Sequence, residues 1–332
     1  MPRPGHLFAL PWLLLPILVS CGKPAGLEET PAPLMLGTNV WPGYEPLYLA
    51  RELDYFSEHA IRLVEYSSAT QVIQAFRNGA VQAAALTLDE ALLLRQNQID
   101  ARVVLINDIS DGSDVILGRG EIRTLADLRG KRVGVENTAL GAFFLARALQ
   151  LGAIARDEIQ LVTLEVDEHV GAFQNGSIDA VVTFEPVRSA LLREGASLLF
   201  DSSQIPGEIV DVIVVRQQDI PVLQPHLQQL INGWYRALDY LESSPDDACG
   251  RMARRLGISP EEVRQSFEGI KLPSRGETLD LLQGSHPKLV NTAASLLETM
   301  QQTGVLNGKV DITNLVNTDP LASTATASAT TQ

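Results

Sequence analysis

The densest group of side chains able to grip a molecule is Asn39, Trp41 and Tyr44, within Asn-Val-Trp-Pro-Gly-Tyr-Glu-Pro-Leu-Tyr-Leu-Ala at residues 39–50. An amide, an indole and a phenol can enclose and orient a small solute, but they are poorly suited to cleaving one. The plainer reading is that Trp41 and Tyr44 plug a sheet edge. Hydroxyls recur where a strand pattern gives way to a helix pattern: Ser68 and Thr70, Thr87, and Thr138 beside the Asn137 amide. Three carboxylates, Asp89, Asp114 and Glu185, stand at such turns too, and no Lys or Arg does. Carboxylates beside aromatic rings favour a cationic or zwitterionic ligand over nitrate or a simple sulfonate. Against this, Asp89 and Glu185 also suit helix N-termini, and Asn137 and Thr138 suit N-caps. The helix start at Asn137-Thr138-Ala139-Leu140-Gly141 offers free backbone N–H groups to an anion. On balance an amino-bearing or aromatic nitrogen compound is expected over nitrate or a simple sulfonate.

Catalysis finds little support. His6, His59, His169, His226 and His286 are scattered, without His-x-x-x-His or Cys-His spacing, and each reads as a surface histidine. Gly-x-Ser-x-Gly, a phosphate-binding loop and a dinucleotide fingerprint are absent. No cofactor and no metal are expected. A net charge of −14 argues against nucleic acid and against direct adhesion to anionic lipid.

These residues need a frame, and the chain spells out an alternating α/β one. Leu34–Thr38 reads as a first strand, and Pro42, Gly43 and Pro46 supply the turn that follows. Residues 61–66, 83–86, 102–106 and 114–117 continue as strands, with a helix at 71–79 stopped by Gly79 and a capping box from Thr87 to Glu90. The pattern restarts after Gly120, with strands at 131–135, 160–164, 178–184, 197–200 and 210–215. Beyond Pro221 the chain is mostly helical, and Trp234 falls on the apolar face of a long helix. Open α/β sheets bind ligands at the carboxyl ends of their strands, where the turns above lie.

Residues 1–20 have a basic start at Arg3 and an apolar run too short to span a bilayer, as a signal peptide does. The run ends in Leu18-Val19-Ser20-Cys21-Gly22, which resembles a bacterial lipobox and marks Cys21 for lipidation. Cleavage there removes Arg3 and no acidic residue, taking the charge from −14 to −15. Cys249 is then left alone, so no disulfide framework is expected. Residues 21–33 read as a tether and residues 321–332, rich in Ala, Ser and Thr, as a disordered tail. Polar breaks near Asp108–Ser113 and Pro206–Asp211 divide the rest. Lobe 1 takes residues 34–112 and 207–320, lobe 2 takes 113–206, and two crossovers join them around a cleft.

Residues 34–317 resemble the extracytoplasmic substrate-binding proteins of ABC importers, in the nitrate/sulfonate/taurine-type group that shares its fold with thiamine-pyrimidine-synthase-like proteins. The resemblance is carried by the lipobox, Trp-Pro-Gly-Tyr-Glu-Pro-Leu-Tyr-Leu-Ala at 41–50, Ala-Phe-Arg-Asn-Gly-Ala-Val-Gln-Ala-Ala at 75–84, Leu-Ala-Asp-Leu-Arg-Gly-Lys-Arg-Val-Gly-Val at 125–135, and Asn-Gly-Ser-Ile-Asp-Ala-Val at 175–181. It implies a type II periplasmic-binding-protein fold, hinged and non-catalytic, that hands a small nitrogen- or sulfur-containing solute to an inner-membrane permease. The implied location is the periplasmic or cell-surface face of a bacterial membrane, anchored by lipid at Cys21. It places the site at the turns named above: Asn39, Trp41, Tyr44, Ser68, Thr70, Thr87, Asp89, Asp114, Asn137, Thr138 and Glu185. Two alternatives share the fold. One is a sensor subunit of a membrane signalling system. The other is a pyrimidine-synthase-like enzyme, whose histidine and cysteine-rich motif the turns lack.

Overall fold

The computed structural model describes Met1 and residues 32–321. Cys21, the expected signal peptide, most of the tether and residues 322–332 lie outside the described residues. Eleven strands form two sheets among the described residues. The first contains β1 (Leu34–Asn39), β2 (Ile61–Tyr66), β3 (Ala83–Thr87), β4 (Ala101–Ser110), β10 (Val210–Arg216) and β11 (Ile270–Lys271), in the order β11-β4-β10-β3-β1-β2. The second contains β5 (Val115–Gly118), β6 (Arg132–Val135), β7 (Gln160–Thr163), β8 (Ala180–Thr183) and β9 (Ser197–Asp201), in the order β7-β6-β8-β5-β9. The chain passes from the first sheet to the second between Ser110 and Val115 and returns between Asp201 and Val210. Two lobes joined by two crossovers result.

Helices α1 (Glu45–Glu52), α2 (Ala69–Arg77), α3 (Leu88–Gln96), α4 (Ala139–Leu151), α5 (His169–Asn175) and α6 (Val187–Arg193) lie between strands. Helices α7 (Ile220–Ser243), α8 (Pro245–Leu256), α9 (Pro260–Ser266), α10 (Arg275–Leu282) and α11 (Lys288–Gln302) follow the last long strand. Helix α7 packs on α1 and α11 on α3, so the C-terminal helices cover the first sheet. Trp234 on α7 is fully buried, as its helical spacing requires. Burial of Leu36, Val72, Phe76 and Val81 fixes α2 against β1 and β3, and Gly79 takes φ +77° just past the end of α2.

Two C-terminal elements differ from the sequence reading. The two-residue strand β11 is too short to show alternation, and α10 is announced only by the Ser274–Glu277 capping box. Leu321, the first residue of the expected tail, is helical and packs into the core at 1% exposure. No described helix is long and apolar enough to cross a membrane.

Candidate functional site

Parallel strands β1, β3, β6 and β8 all end toward the gap between the lobes. Strand β4 runs with them, and β10 runs against β3 and β4, so its first residues lie at the same end. The register then sets Thr87, Asp211 and Asp108 in one row, Asp211 opposite Thr87 on one side and opposite Asp108 on the other. Like charges directly opposite repel. Here each is held by a donor from the turn after β1: Trp41 Nε1 donates to Asp108 Oδ2 at 3.1 Å, and the Tyr44 hydroxyl donates to Asp211 Oδ1. Gly43 lets the turn come this close, since a Cβ there would overlap the Asp108 carboxylate and Trp41 Nε1.

Above this row is a small cavity of about 30 Å³. Asn39, Trp41, Tyr44, Ala69, Thr87, Glu90 and Asp211 line it from the first lobe, and Asp114, Glu136, Thr138, Leu140 and Phe184 from the second lobe and its crossover. Trp41 and Phe184 meet edge to face across it, ring centres 5.6 Å apart. A smaller chamber shares Asp114, Glu136, Thr138, Leu140 and Phe184 with it and extends to His169, Thr183 and Phe144.

Among the described residues no cation pairs with the carboxyls buried here. Glu90 is 2% exposed and Asp108 0%. Glu90 Oε2 accepts from the Thr87 N–H at 3.1 Å, while Oε1 has no partner among the described residues. Burial pushes both Glu90 and Asp108 well above the usual carboxylate range, with the charge of Asp89 adding for Glu90 and that of Asp211 for Asp108. Asp211 and Asp89 are raised in the same way, burial outweighing the hydrogen bond from Tyr44 to Asp211 and the nearness of the Thr87 hydroxyl to Asp89. Asp114 is pushed up to about 6 by burial, against the Ser110 hydroxyl. Glu136 is pushed up to about 7 by burial and by Glu165, opposed by the backbone N–H groups of Thr70 and Ala69 that it faces across the cleft.

Of the residues named from sequence, the structure brings Asn39, Trp41, Tyr44, Thr87, Asp114 and Thr138 together on the cavity wall. The rest lie elsewhere. Ser68 caps α2 by accepting from the Gln71 N–H, and the Thr70 hydroxyl is not among the lining groups. Asp89 is fully buried behind the wall, and its neighbour Glu90 faces the cavity instead. Asn137 is exposed and lines a separate groove. Glu185 turns away to accept from the Ser189 N–H and hydroxyl and to pair with Arg188 at 3.0 Å, so its helix-capping use wins.

Two histidines also depart from the surface reading. His169 is 1% exposed, with Nδ1 3.1 Å from Thr183 Oγ1, Nε2 without a partner among the described residues, and a pKa that burial lowers to about 4. His226 is buried on α7. Sequence reasoning passed over Glu90, Asp211, Glu136 and Asp108. The available signal was a charged residue inside an apolar strand, as in Val210-Asp211-Val212 and Ile106-Asn107-Asp108-Ile109. Among the described residues no three His, Cys, Asp or Glu side chains converge as a metal site would require.

The NMT1-like family profile matches residues 27–257, more than half of the chain. The chain belongs to the NMT1-like family. Curated relatives of this NMT1-like protein include a binding protein of Brucella abortus, 25% identical over 185 residues, which are 54% of this chain and 58% of that protein. Another, named for binding aliphatic sulfonates in Escherichia coli, is 26% identical over 153 residues, 45% of this chain and 48% of that one. The chain thus spans about half the length of the curated relatives it matches, and these relatives are named as binding proteins rather than enzymes.

Among solved structures, the alkanesulfonate-binding protein SsuA of Xanthomonas axonopodis pv. citri superposes with TM-score 0.74 at 19% identity, covering 87% of this chain and 99% of that one. The periplasmic aliphatic sulphonate binding protein SsuA of Escherichia coli gives 0.69 at 18%, covering 86% and 97%. These likenesses establish the two-lobed periplasmic-binding-protein fold for this NMT1-like chain.

Proposed function

We propose that this NMT1-like protein is the extracytoplasmic solute-binding component of an ABC-type importer. It captures a small organic solute between lobe 1 (residues 34–112 and 207–320) and lobe 2 (113–206) and presents it to an inner-membrane permease. The carrying observation is the cavity lined from both lobes, with Trp41 and Phe184 touching across it. A solute bridging two lobes binds their closed arrangement more tightly than the open one, and so shifts the population toward the form a permease can recognise. Asn39, Trp41, Tyr44, Thr87, Asp114 and Thr138 are the proposed contacts, joined by Glu90, Glu136 and Asp211. Lipidation at Cys21 holds the protein at the membrane; Cys21→Ala should release it to the soluble extracytoplasmic fraction and abolish palmitate labelling.

A thermal-shift screen of the purified protein against amines, pyrimidines, zwitterions, sulfonates and nitrate tests the reading. A ligand of the folded state stabilises it by about 2.7 kcal/mol at a hundredfold excess over Kd. At roughly 2–4 °C per kcal/mol for a domain of this size or somewhat smaller, that is a shift of several degrees. The shift should vanish in Trp41→Ala. A shift that survives this change would move the site out of the cleft.

A further inference from the structure

We propose that the cleft takes an organic cation bearing at least two N–H donors and rejects sulfonates and other anions; this rests on the solute-binding reading above. Glu90 and Asp211 line the cavity from the first lobe, Asp114 and Glu136 from the second lobe and its crossover, and among the described residues no Lys, Arg or His lines it. Two of these carboxyls are unfinished. Glu90 Oε1 and Glu136 Oε1 are both buried, on opposite walls, and neither has a hydrogen-bond partner among the described residues. The Thr87 hydroxyl, also on the wall, is likewise without one. Buried acceptors left unpaired are costly, and a bound donor satisfies them. Acceptors on both walls require donors at two points of one molecule.

The aromatic groups select the same charge. Trp41 Nε1 and the Tyr44 hydroxyl already donate to Asp108 and Asp211, so what remains for a ligand is the rings. Ring faces attract cations and repel anions. Several N–H groups that an anion could use already face groups of the chain itself. The first N–H groups of α2, at Ala69 and Thr70, are faced by the chain's own Glu136 carboxyl. At the start of α4 the Gly141 N–H donates to Thr138 Oγ1 at 3.0 Å. A sulfonate would have to lie among the carboxylates of Glu90, Asp114, Glu136 and Asp211.

Charge and pH are linked in such a site. Glu90 is faced by Asp89, Glu136 and Asp211, and Asp211 by Asp114, Asp89 and Tyr44. Glu136 is faced by Glu165 and by the Thr70 and Ala69 N–H groups, and Asp114 by the Ser110 hydroxyl. With no cation among these neighbours, the empty cleft retains protons, and a cationic ligand displaces them. Its affinity therefore rises with pH across the range in which these carboxyls ionise.

Matched probes on the purified full chain decide the matter: benzamidinium, 4-aminopyridinium and ethylammonium against benzenesulfonate and ethanesulfonate, followed by thermal shift and titration calorimetry. At least one cation should bind with release of protons and weaken as pH falls from 8 to 6, and the sulfonates should leave the protein unchanged. Glu90→Gln keeps an acceptor for the Thr87 N–H and Asp211→Asn keeps one for Tyr44, so both should fold, verified by ligand-free melting. Each should lower the cation's affinity about tenfold or more. Binding of the sulfonates with silence from the cations overturns the charge assignment and leaves the solute-binding reading standing. Silence from both sets overturns both. A cation whose affinity ignores pH and both substitutions binds elsewhere, and that too overturns the assignment.

Discussion

Glu45, one residue beyond Tyr44, is fully buried like the cleft carboxyls, but its charge is answered. Arg255 donates to it through two nitrogens, Nε to Oε2 at 2.9 Å and Nη2 to Oε1, while its Nη1 reaches Glu65 at 2.8 Å. The same guanidinium lies 3.8 Å from the centre of the Tyr48 ring. Arg255→Ala would strand the Glu45 carboxyl, and denaturant unfolding should show a loss of about 3 kcal/mol. The double change Glu45→Leu with Arg255→Leu should lose less than the single one, because no charge is left behind. Aromatic and hydroxyl groups of the cleft could be read from sequence because they sit at turns. The fate of a carboxylate could not, because it depends on whether an arginine two hundred residues away reaches it. Glu45 found such a partner and Glu90 did not, while Glu185 is answered locally by Arg188, three residues on.

The turn from β1 to α1 is the element on which the site depends. Its Trp, Gly and Tyr act together: two donors hold two strand carboxyls, and the glycine between them leaves the space. Gly43→Ala should cost roughly 1–3 kcal/mol through overpacking. It should also weaken whatever ligand the wild type binds, seen as a lower melting temperature and a smaller ligand-induced shift. Strands β1 to β10 and helices α1 to α7 were legible because each long element shows its period and ends in Gly, Pro or a capping residue. What was not legible is the order of strands within a sheet. The placement of β10 between β3 and β4 is long-range pairing, and that pairing is what brings Asp211 between Thr87 and Asp108.

At the scale of the molecule, the buried carboxyls govern how the ligand-free protein responds to pH. Asp89, Glu90, Asp108, Asp114, Glu136 and Asp211 all have raised folded-state pKa values. Each contributes stability that is complete below the ordinary carboxylate range near pH 4. That stability is lost as pH rises through the folded values, about 6 for Asp114 and about 7 for Glu136. His169 opposes them: its folded pKa is lowered to about 4, so its contribution is present above about pH 6.5 and is lost as pH falls. Six groups outweigh one, and the melting temperature without ligand should be higher at pH 5.5 than at pH 8. A flat or reversed profile would show that cations already neutralise the cleft. The surface carboxylates held down by arginine or backbone donors, such as Asp179 and Glu262, act only below this window.

The pairing of β4 with β10 carries one more implication. Ile109 stands opposite Val210, and the Ser110 N–H donates to the Ile209 carbonyl at 3.1 Å. By connectivity these strands are a hairpin, and residues 111–208 are the loop at its tip. The whole second lobe leaves and re-enters the chain at one spot, as an interchangeable cassette would. Transplanting that segment from another NMT1-like protein would replace Asp114, Glu136, Thr138, Leu140 and Phe184 together while leaving Glu90, Asp211 and the aromatic turn in place. Selectivity could thus be recombined one wall at a time.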